Sequence, residues 1–133
     1  MKARFADSFY YLALLNRRDA FHEKAAALSR GLAGRTVTTA FVLTEVADAL
    51  SSPGERDSVL RLIDALRADP GCLIAPASQD LFERGLDLYR HRPDKDWSLT
   101  DCISFVVMAE RGLAEALTAD RHFEQAGFAM LLK

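Results

Sequence analysis

The sequence predicts an α/β protein with a central parallel sheet of about five strands, flanked by helices in a three-layer α/β/α arrangement. Short runs suited to strands alternate along the chain with longer runs at helical spacing. The chain has 133 residues and contains no low-complexity tract, long linker or internal repeat. That length suits one domain, so we expect residues 1–133 to form a single domain. Strands that alternate with helices usually lie parallel, with helices on both faces of the sheet.

Five short runs carry the strand prediction. Residues 3–6, 36–39 and 72–75 are mostly apolar or β-branched, although Arg4 interrupts the first of them. Residues 116–119 and 129–132 are the fourth and fifth. In parallel sheets of this kind, ligands bind in the crevice at the carboxyl ends of the strands. Residues that directly follow a strand are therefore the first place to look for a functional site.

Six longer runs have the spacing of helices and connect these strands. They cover residues 9–15, 21–32, 41–50, 59–66, 78–91 and 98–111. The turn Asp69-Pro70-Gly71 and the residue Gly112 mark two of the boundaries. The run 98–111 is apolar on almost every side, which predicts a helix at the centre of the fold.

Composition narrows the class of protein. Half of the residues are hydrophobic and 27% are charged, with a formal net charge of -2. That charge argues against binding nucleic acid through a bulk positive field. No run approaches the roughly 18 apolar residues of a membrane span, and the first residues do not have the pattern of a signal peptide. With only Cys72 and Cys102 as thiols, we expect a cytoplasmic protein that does not associate with a membrane.

Four acids lie at positions that suit a functional site as well as a structural role. Asp7 and Asp120 follow predicted strands, Asp101 is in the first turn of the apolar helix, and Glu45 lies beside the apolar stripe of the helix 41–50. Each has a structural alternative. Asp7 and Asp120 suit N-caps, Asp101 fits a capping box with Ser98, and Glu45 can reach solvent or a cation. Four carboxylates that converge at one sheet end would repel each other unless a cation lay among them, and oxygen ligands favour Mg²⁺ or Mn²⁺.

These features occur in a familiar order. The chain has Asp7-Ser8 before a Leu/Ala-rich helix, then "NRRDAFHEKA" at 16–25 and "TTAFVLTEVADAL" at 38–50. Further along are "DWSLTDCISFVVMAERG" at 96–112 and "ALTADRHFEQAGF" at 116–128. Across nearly its whole length the sequence resembles the PIN-domain nucleases, in particular the VapC-type ribonuclease toxins.

The resemblance implies a PIN-like fold, metal-dependent endonucleolytic cleavage of RNA, and a toxin of a type II toxin–antitoxin pair. It also implies a small antitoxin partner and a homodimer formed through helices, to which the apolar "FYYLALL" at 9–15 can contribute if it is not simply core. By this resemblance, four acids are both the catalytic groups and the ligands of Mg²⁺ or Mn²⁺: Asp7, Glu45, Asp101 and Asp120. The hydroxyls of Ser8 and Thr118 are expected beside them.

Several other side chains are second-rank candidates. Basic residues can contact an RNA backbone, although any one of them can equally be an ordinary solvated charge. Asp94 and Asp96 are extra acids near the third motif, and His122 follows Asp120, but the chemistry requires no histidine. A catalytically silent PIN scaffold that binds RNA or protein is the alternative function. The candidate RNA-backbone contacts are Arg17, Arg92, Lys95 and Arg121.

Overall fold

Five parallel strands form the centre of the protein in a computed structural model that describes residues 2–31 and 35–133. Their order across the sheet is β3-β2-β1-β4-β5, and every neighbouring pair is parallel. The predicted fold class, a PIN-like α/β/α arrangement with about five parallel strands, is therefore confirmed. The strands are β1 (Ala3–Ala6), β2 (Arg35–Thr39), β3 (Cys72–Ala75), β4 (Glu115–Leu117) and β5 (Ala129–Met130).

Strands β4 and β5 are shorter than the sequence suggests. The fourth was expected over 116–119, but it ends at Leu117 because the backbone turns there and the N–H of Thr118 donates to the carbonyl of Ala116 at 3.0 Å. The fifth covers two residues instead of the four expected at 129–132. As a result, Thr118, which was expected inside the strand, lies with Asp120 in the connection beyond the strand end.

Helices occupy all six of the longer runs, within one to three residues of the predicted limits. The predicted end of the second helix at Leu32 lies outside the described residues. In the described residues none of the helices is long and apolar enough to cross a membrane. The helices are α1 (Ser8–Leu15), α2 (His22–Gly31), α3 (Ala40–Ala49), α4 (Arg56–Ala68), α5 (Gln79–His91), α6 (Leu99–Arg111) and the short α7 (Arg121–Gln125).

Helix α6 is the most buried helix, as its apolar sequence predicts. Cys102, Ile103 and Met108 are all at most 1% exposed. Helix α5 packs against it at Gly85, where an added Cβ would collide with the side chain of Ile103 and lie 3.2 Å from its Cα. Close packing therefore holds the first turn of α6, and with it Asp101, at one place relative to the sheet.

The strand order creates a switch point between β1 and β4. The chain moves from β1 outward to β2 and β3, and then returns to the other side of β1 to form β4 and β5. Helices that connect strands in opposite directions leave a crevice at the carboxyl ends of the two central strands. Asp7 follows β1 and Thr118 follows β4, so both residues lie at this crevice.

Candidate active site

Asp7 is buried at the end of β1 and is not used as a helix cap. Asp7 occupies the N-cap position of α1, but its side chain makes no capping hydrogen bond. Instead the hydroxyl of Thr118 donates to Asp7 Oδ2 at 2.9 Å. Both side chains are nearly inaccessible, at 4% and 0% exposed. The capping alternative for Asp7 is therefore wrong, and its carboxylate faces the loop that follows β4.

Thr118 also connects to Asp120, which does cap its helix. The backbone N–H of Asp120 donates to Thr118 Oγ1 at 3.0 Å, and Asp120 Oδ1 accepts from the backbone N–H of His122 at 2.9 Å. One hydroxyl therefore touches both Asp7 and the backbone of Asp120. The capping role of Asp120 occupies one carboxylate oxygen and leaves the other free of any hydrogen bond in the described part of the chain.

Asp101 both closes a capping box and faces the crevice. Its N–H donates to Ser98 Oγ at 3.0 Å, and the N–H of Ser98 donates to Asp101 Oδ2 at 3.1 Å. The same oxygen lies 3.0 Å from the Nδ1 atom of His122. The first turn of α6 therefore fixes the direction of a carboxylate that is only 8% exposed. Capping and a role in the site are compatible in this geometry.

Glu45 reaches the same region from α3. Ser8, the first residue of α1, donates its hydroxyl proton to Glu45 Oε1 at 2.5 Å. Glu45 is half-buried, and the neighbouring side chains Val42 and Val46 are fully buried. The apolar stripe of α3 packs into the core and carries Glu45 at its edge, so this carboxylate is directed inward instead of extending into solvent.

The acids of the site repel one another. Burial, with repulsion from Asp101 and Glu45, raises the pKa of Asp7 to about 7, although the hydrogen bonds from Thr118 and the backbone lower it. Burial also raises the pKa of Asp101 and of Glu45, and both carboxylates are additionally repelled by Asp120. The structure thus brings together all four predicted acids, Asp7, Glu45, Asp101 and Asp120, which we call the acid cluster.

The acid cluster has the chemistry of a divalent metal site. Buried carboxylates that repel one another lack a counter-charge, and a cation among them would relieve both burial and repulsion. Asp101, Asp120 and His122 each offer a ligand atom, and these atoms lie within 4.8 Å of one another. The donor set is mainly carboxylate oxygen, which suits Mg²⁺ and Mn²⁺.

His122 is the residue that sequence reasoning undervalued. Its Nδ1 atom lies 3.0 Å from Asp101 Oδ2 and 3.5 Å from Asp120 Oδ1. The available signal was its position two residues after Asp120, which places it in the first turn of α7 beside the carboxylate that caps this helix. The sequence could not show that Asp101 approaches it from α6, because that contact joins residues far apart in the sequence.

Within the described residues, none of the candidate RNA-contacting cations bonds to a carboxylate of the acid cluster. Arg17 is exposed between α1 and α2, and Arg121 is exposed at the start of α7. Arg92 donates two hydrogen bonds to Asp94, both at 3.0 Å, and this pair lowers the pKa of Asp94. Asp94 is therefore committed to Arg92 instead of the metal site.

Comparison with known proteins agrees with the architecture. A parallel α/β sheet with carboxylates at its switch point is a setting in which a bound metal ion can assist hydrolysis. The family model described as "PIN domain" matches residues 5–129. The chain therefore belongs to the PIN domain family, and the resemblance noted in the sequence is confirmed.

Individual relatives come from Mycobacterium tuberculosis. The protein named "23S rRNA-specific endonuclease VapC20", from strains CDC 1551 / Oshkosh and ATCC 25618 / H37Rv, is 29% identical over 125 residues, covering 93% of this chain and 94% of the relative. The crystal structure of M. tuberculosis VapC20, called there a sarcin–ricin loop cleaving toxin, has a TM-score of 0.85 with this structure. It is 26% identical, and the match covers 94% of this chain and 95% of that chain.

Proposed function

We propose that this chain is a divalent-metal-dependent endoribonuclease and the toxin of a type II toxin–antitoxin pair. The observation that carries the proposal is the acid cluster, which combines buried, mutually repelling carboxylates in a PIN fold. A catalytically silent scaffold would gain nothing from keeping such groups together, because their burial destabilises the fold. The name of the VapC20 relative, a 23S rRNA-specific endonuclease, supports the same reaction class.

In this proposal the acid cluster holds Mg²⁺ or Mn²⁺, and Asp7, Glu45, Asp101 and Asp120 are the catalytic carboxylates. A bound ion of this kind supplies an activated water and neutralises charge that develops on the phosphodiester. The chain's own contribution is orientation. Thr118 donates to Asp7, Ser8 donates to Glu45, and the first turn of α6 directs Asp101. These hydrogen bonds hold each carboxylate in one position and favour its ionised form.

The substrate is RNA, and its backbone needs cations to approach an acidic site. We assign this role to Arg17, Lys95 and Arg121, because the charge of Arg92, the fourth candidate, is already paired with Asp94. Phosphate contacts position a strand without reading its sequence. The named target of the VapC20 relative, 23S rRNA with its sarcin–ricin loop, is the first substrate to test.

Two partners and a location complete the proposal. A VapC-type toxin acts with a small antitoxin, and we propose an antitoxin and a homodimer for this chain, acting in the cytoplasm where RNA is available. Much of the α1 sequence is committed to the core, since Tyr10, Tyr11 and Ala13 are buried. Only its partly buried side chains, such as Phe9 and Leu12, remain to contribute to an interface.

A cleavage assay tests the function. Purified protein is incubated with Mn²⁺, Mg²⁺ or EDTA and a panel of RNAs: a sarcin–ricin loop hairpin, tRNA and mRNA. We expect cleavage that requires the ion and that falls by more than about 100-fold in Asp101→Asn, because loss of even a residue that only supports a ligand typically has a 10–100-fold effect. The matched control is Asp64→Asn, which changes an exposed acid on α4.

The outcomes separate the two functions. Full cleavage by folded Asp101→Asn protein contradicts the catalytic assignment. RNA binding that needs no metal, with no cleavage of any RNA by the wild-type chain, identifies the silent scaffold instead. Circular dichroism of each variant establishes that the fold is retained.

A further inference from the structure

A surface groove of about 880 Å³ lies between the end of α5 and the start of α6. Its volume is in the range of about 300–1,000 Å³ that is usual for sites of small organic ligands. We call it the α5–α6 groove. Its lining includes two aromatic side chains, three cations, one hydroxyl and one acid: Tyr89 and Trp97, Arg90, Arg92 and Lys95, Ser98, and Asp96.

The groove begins where the acid cluster ends. Ser98 lines the groove, and its backbone N–H donates to Asp101 Oδ2 at 3.1 Å. Trp97 also lines it, and its indole N–H donates to Gln125 at 3.0 Å, on the helix that Asp120 caps. A chain bound at the acid cluster can therefore continue into the groove past the first turn of α6.

Tyr89 places a half-exposed aromatic ring at the surface of this groove. It is 49% exposed, and the other exposed large hydrophobic side chains of the described residues, Leu60 and Leu73, are aliphatic. About half of the side chain is therefore open to contact with a ligand. An exposed ring next to cations is the arrangement on which unpaired bases stack in proteins that bind single-stranded nucleic acid.

The basic side chains supply the matching charge. The Arg92 guanidinium lies over the Trp97 ring, 5.0 Å from its centre, and Asp94 holds it there through two hydrogen bonds. Arg92 is therefore a fixed wall of the groove. Arg90 has only a loose pair with Asp87, at 3.8 Å, and Lys95 has no ion pair within residues 2–31 and 35–133. These two cations are available to phosphates.

We propose that the α5–α6 groove binds an unpaired nucleotide of the RNA substrate next to the cleaved phosphodiester, with its base stacked on Tyr89 and its phosphates contacted by Arg90 and Lys95. The inference rests on the proposed function and adds a base-binding subsite to it. Carboxylates that act on the sugar–phosphate backbone cannot by themselves detect whether a nucleotide carries a base. The groove gives the chain a means to require an unpaired base beside the cut.

Binding of defined RNAs tests the subsite. All proteins carry Asp7→Asn to prevent cleavage, and Mn²⁺ is present. Fluorescence anisotropy measures the Kd of a fluorescein-labelled single-stranded RNA, and of the same RNA with one abasic residue at successive positions. We expect Tyr89→Ala to weaken binding of the intact RNA by about five- to 150-fold, the effect of losing one base stack. Tyr89→Phe keeps the ring and retains the affinity.

The abasic series carries the specific readout. With Tyr89 present, one abasic position weakens binding sharply, and in Tyr89→Ala that same position no longer matters. The matched control is Leu60→Ala, which shortens an exposed hydrophobic side chain on α4. Lys95→Ala is expected to weaken all of the RNAs alike and to lower the slope of log Kd against log salt by about 0.7, the value for one phosphate contact on a single strand.

Four results decide between these possibilities. Equal affinity of Tyr89→Ala and Leu60→Ala for the intact RNA overturns the subsite, and so does an abasic effect that persists in Tyr89→Ala. A wild-type chain that cleaves no RNA under any metal condition overturns the proposed function itself. Cleavage by the wild type together with unchanged Tyr89→Ala binding overturns only the groove and leaves that surface to a protein partner.

Discussion

Replacing Asp7 with asparagine is expected to stabilise the metal-free protein at neutral and alkaline pH. The native pKa of this carboxyl is about 7, compared with an ordinary value of 3.8. A carboxyl whose pKa is raised by folding favours the folded state fully below about pH 4, and this contribution is lost as the pH rises through 7. At about 1.36 kcal/mol for each pKa unit, the loss amounts to up to about 4 kcal/mol. Asparagine never ionises and still accepts the hydrogen bond from Thr118.

Urea unfolding in EDTA at several pH values measures this effect. The unfolding free energies of wild type and Asp7→Asn are expected to agree within about 1 kcal/mol near pH 4, and to differ by up to about 4 kcal/mol above pH 7, with the variant more stable. Mn²⁺ then stabilises the wild type in proportion to its binding, and stabilises the variant less because one carboxylate of the acid cluster has lost its charge. Asp64→Asn, at an exposed position, should show no such pH dependence. Asp7→Asn protein that is no more stable than wild type at pH 8 in EDTA would refute the reasoning.

Three further changes test other parts of the structure. Ser8→Ala removes the hydrogen bond that lowers the pKa of Glu45. The acidic limb of the pH–rate profile for RNA cleavage should therefore move to higher pH. An unmoved limb means that this carboxylate does not titrate in the reaction. His122→Ala is expected to weaken Mn²⁺ binding, measured by calorimetry, by roughly 10–100-fold; unchanged affinity would place the imidazole outside the metal site. Gly85→Ala should destabilise the fold by roughly 1–3 kcal/mol through its collision with Ile103, and a neutral result in thermal unfolding would show that α5 and α6 can separate freely.

Much of the fold follows from local patterns in the sequence. The alternation of strand-like and helical runs predicts the parallel sheet, and the nearly all-apolar sequence of α6 predicts its central position. The limits of β4 and β5 were less accurate, because a backbone hydrogen bond from Thr118 to Ala116 ends β4 early. The residues at such a turn have the same sequence pattern as those of a strand that continues. A helix of five residues such as α7 is too short to show helical periodicity.

The sequence by itself determined which acids were unusual, since strand ends and an apolar stripe are visible in the order of residues. It left open whether Asp7, Asp101 and Asp120 cap helices or form a site. Tertiary structure decided this differently for each: Asp7 caps nothing, whereas Asp101 and Asp120 cap their helices and still face the crevice. Only the fold brings His122 to 3.0 Å from Asp101. The physical reason is that capping depends on the nearest turn of the chain, whereas burial, repulsion and shared hydrogen bonds depend on segments that meet only when the sheet has formed.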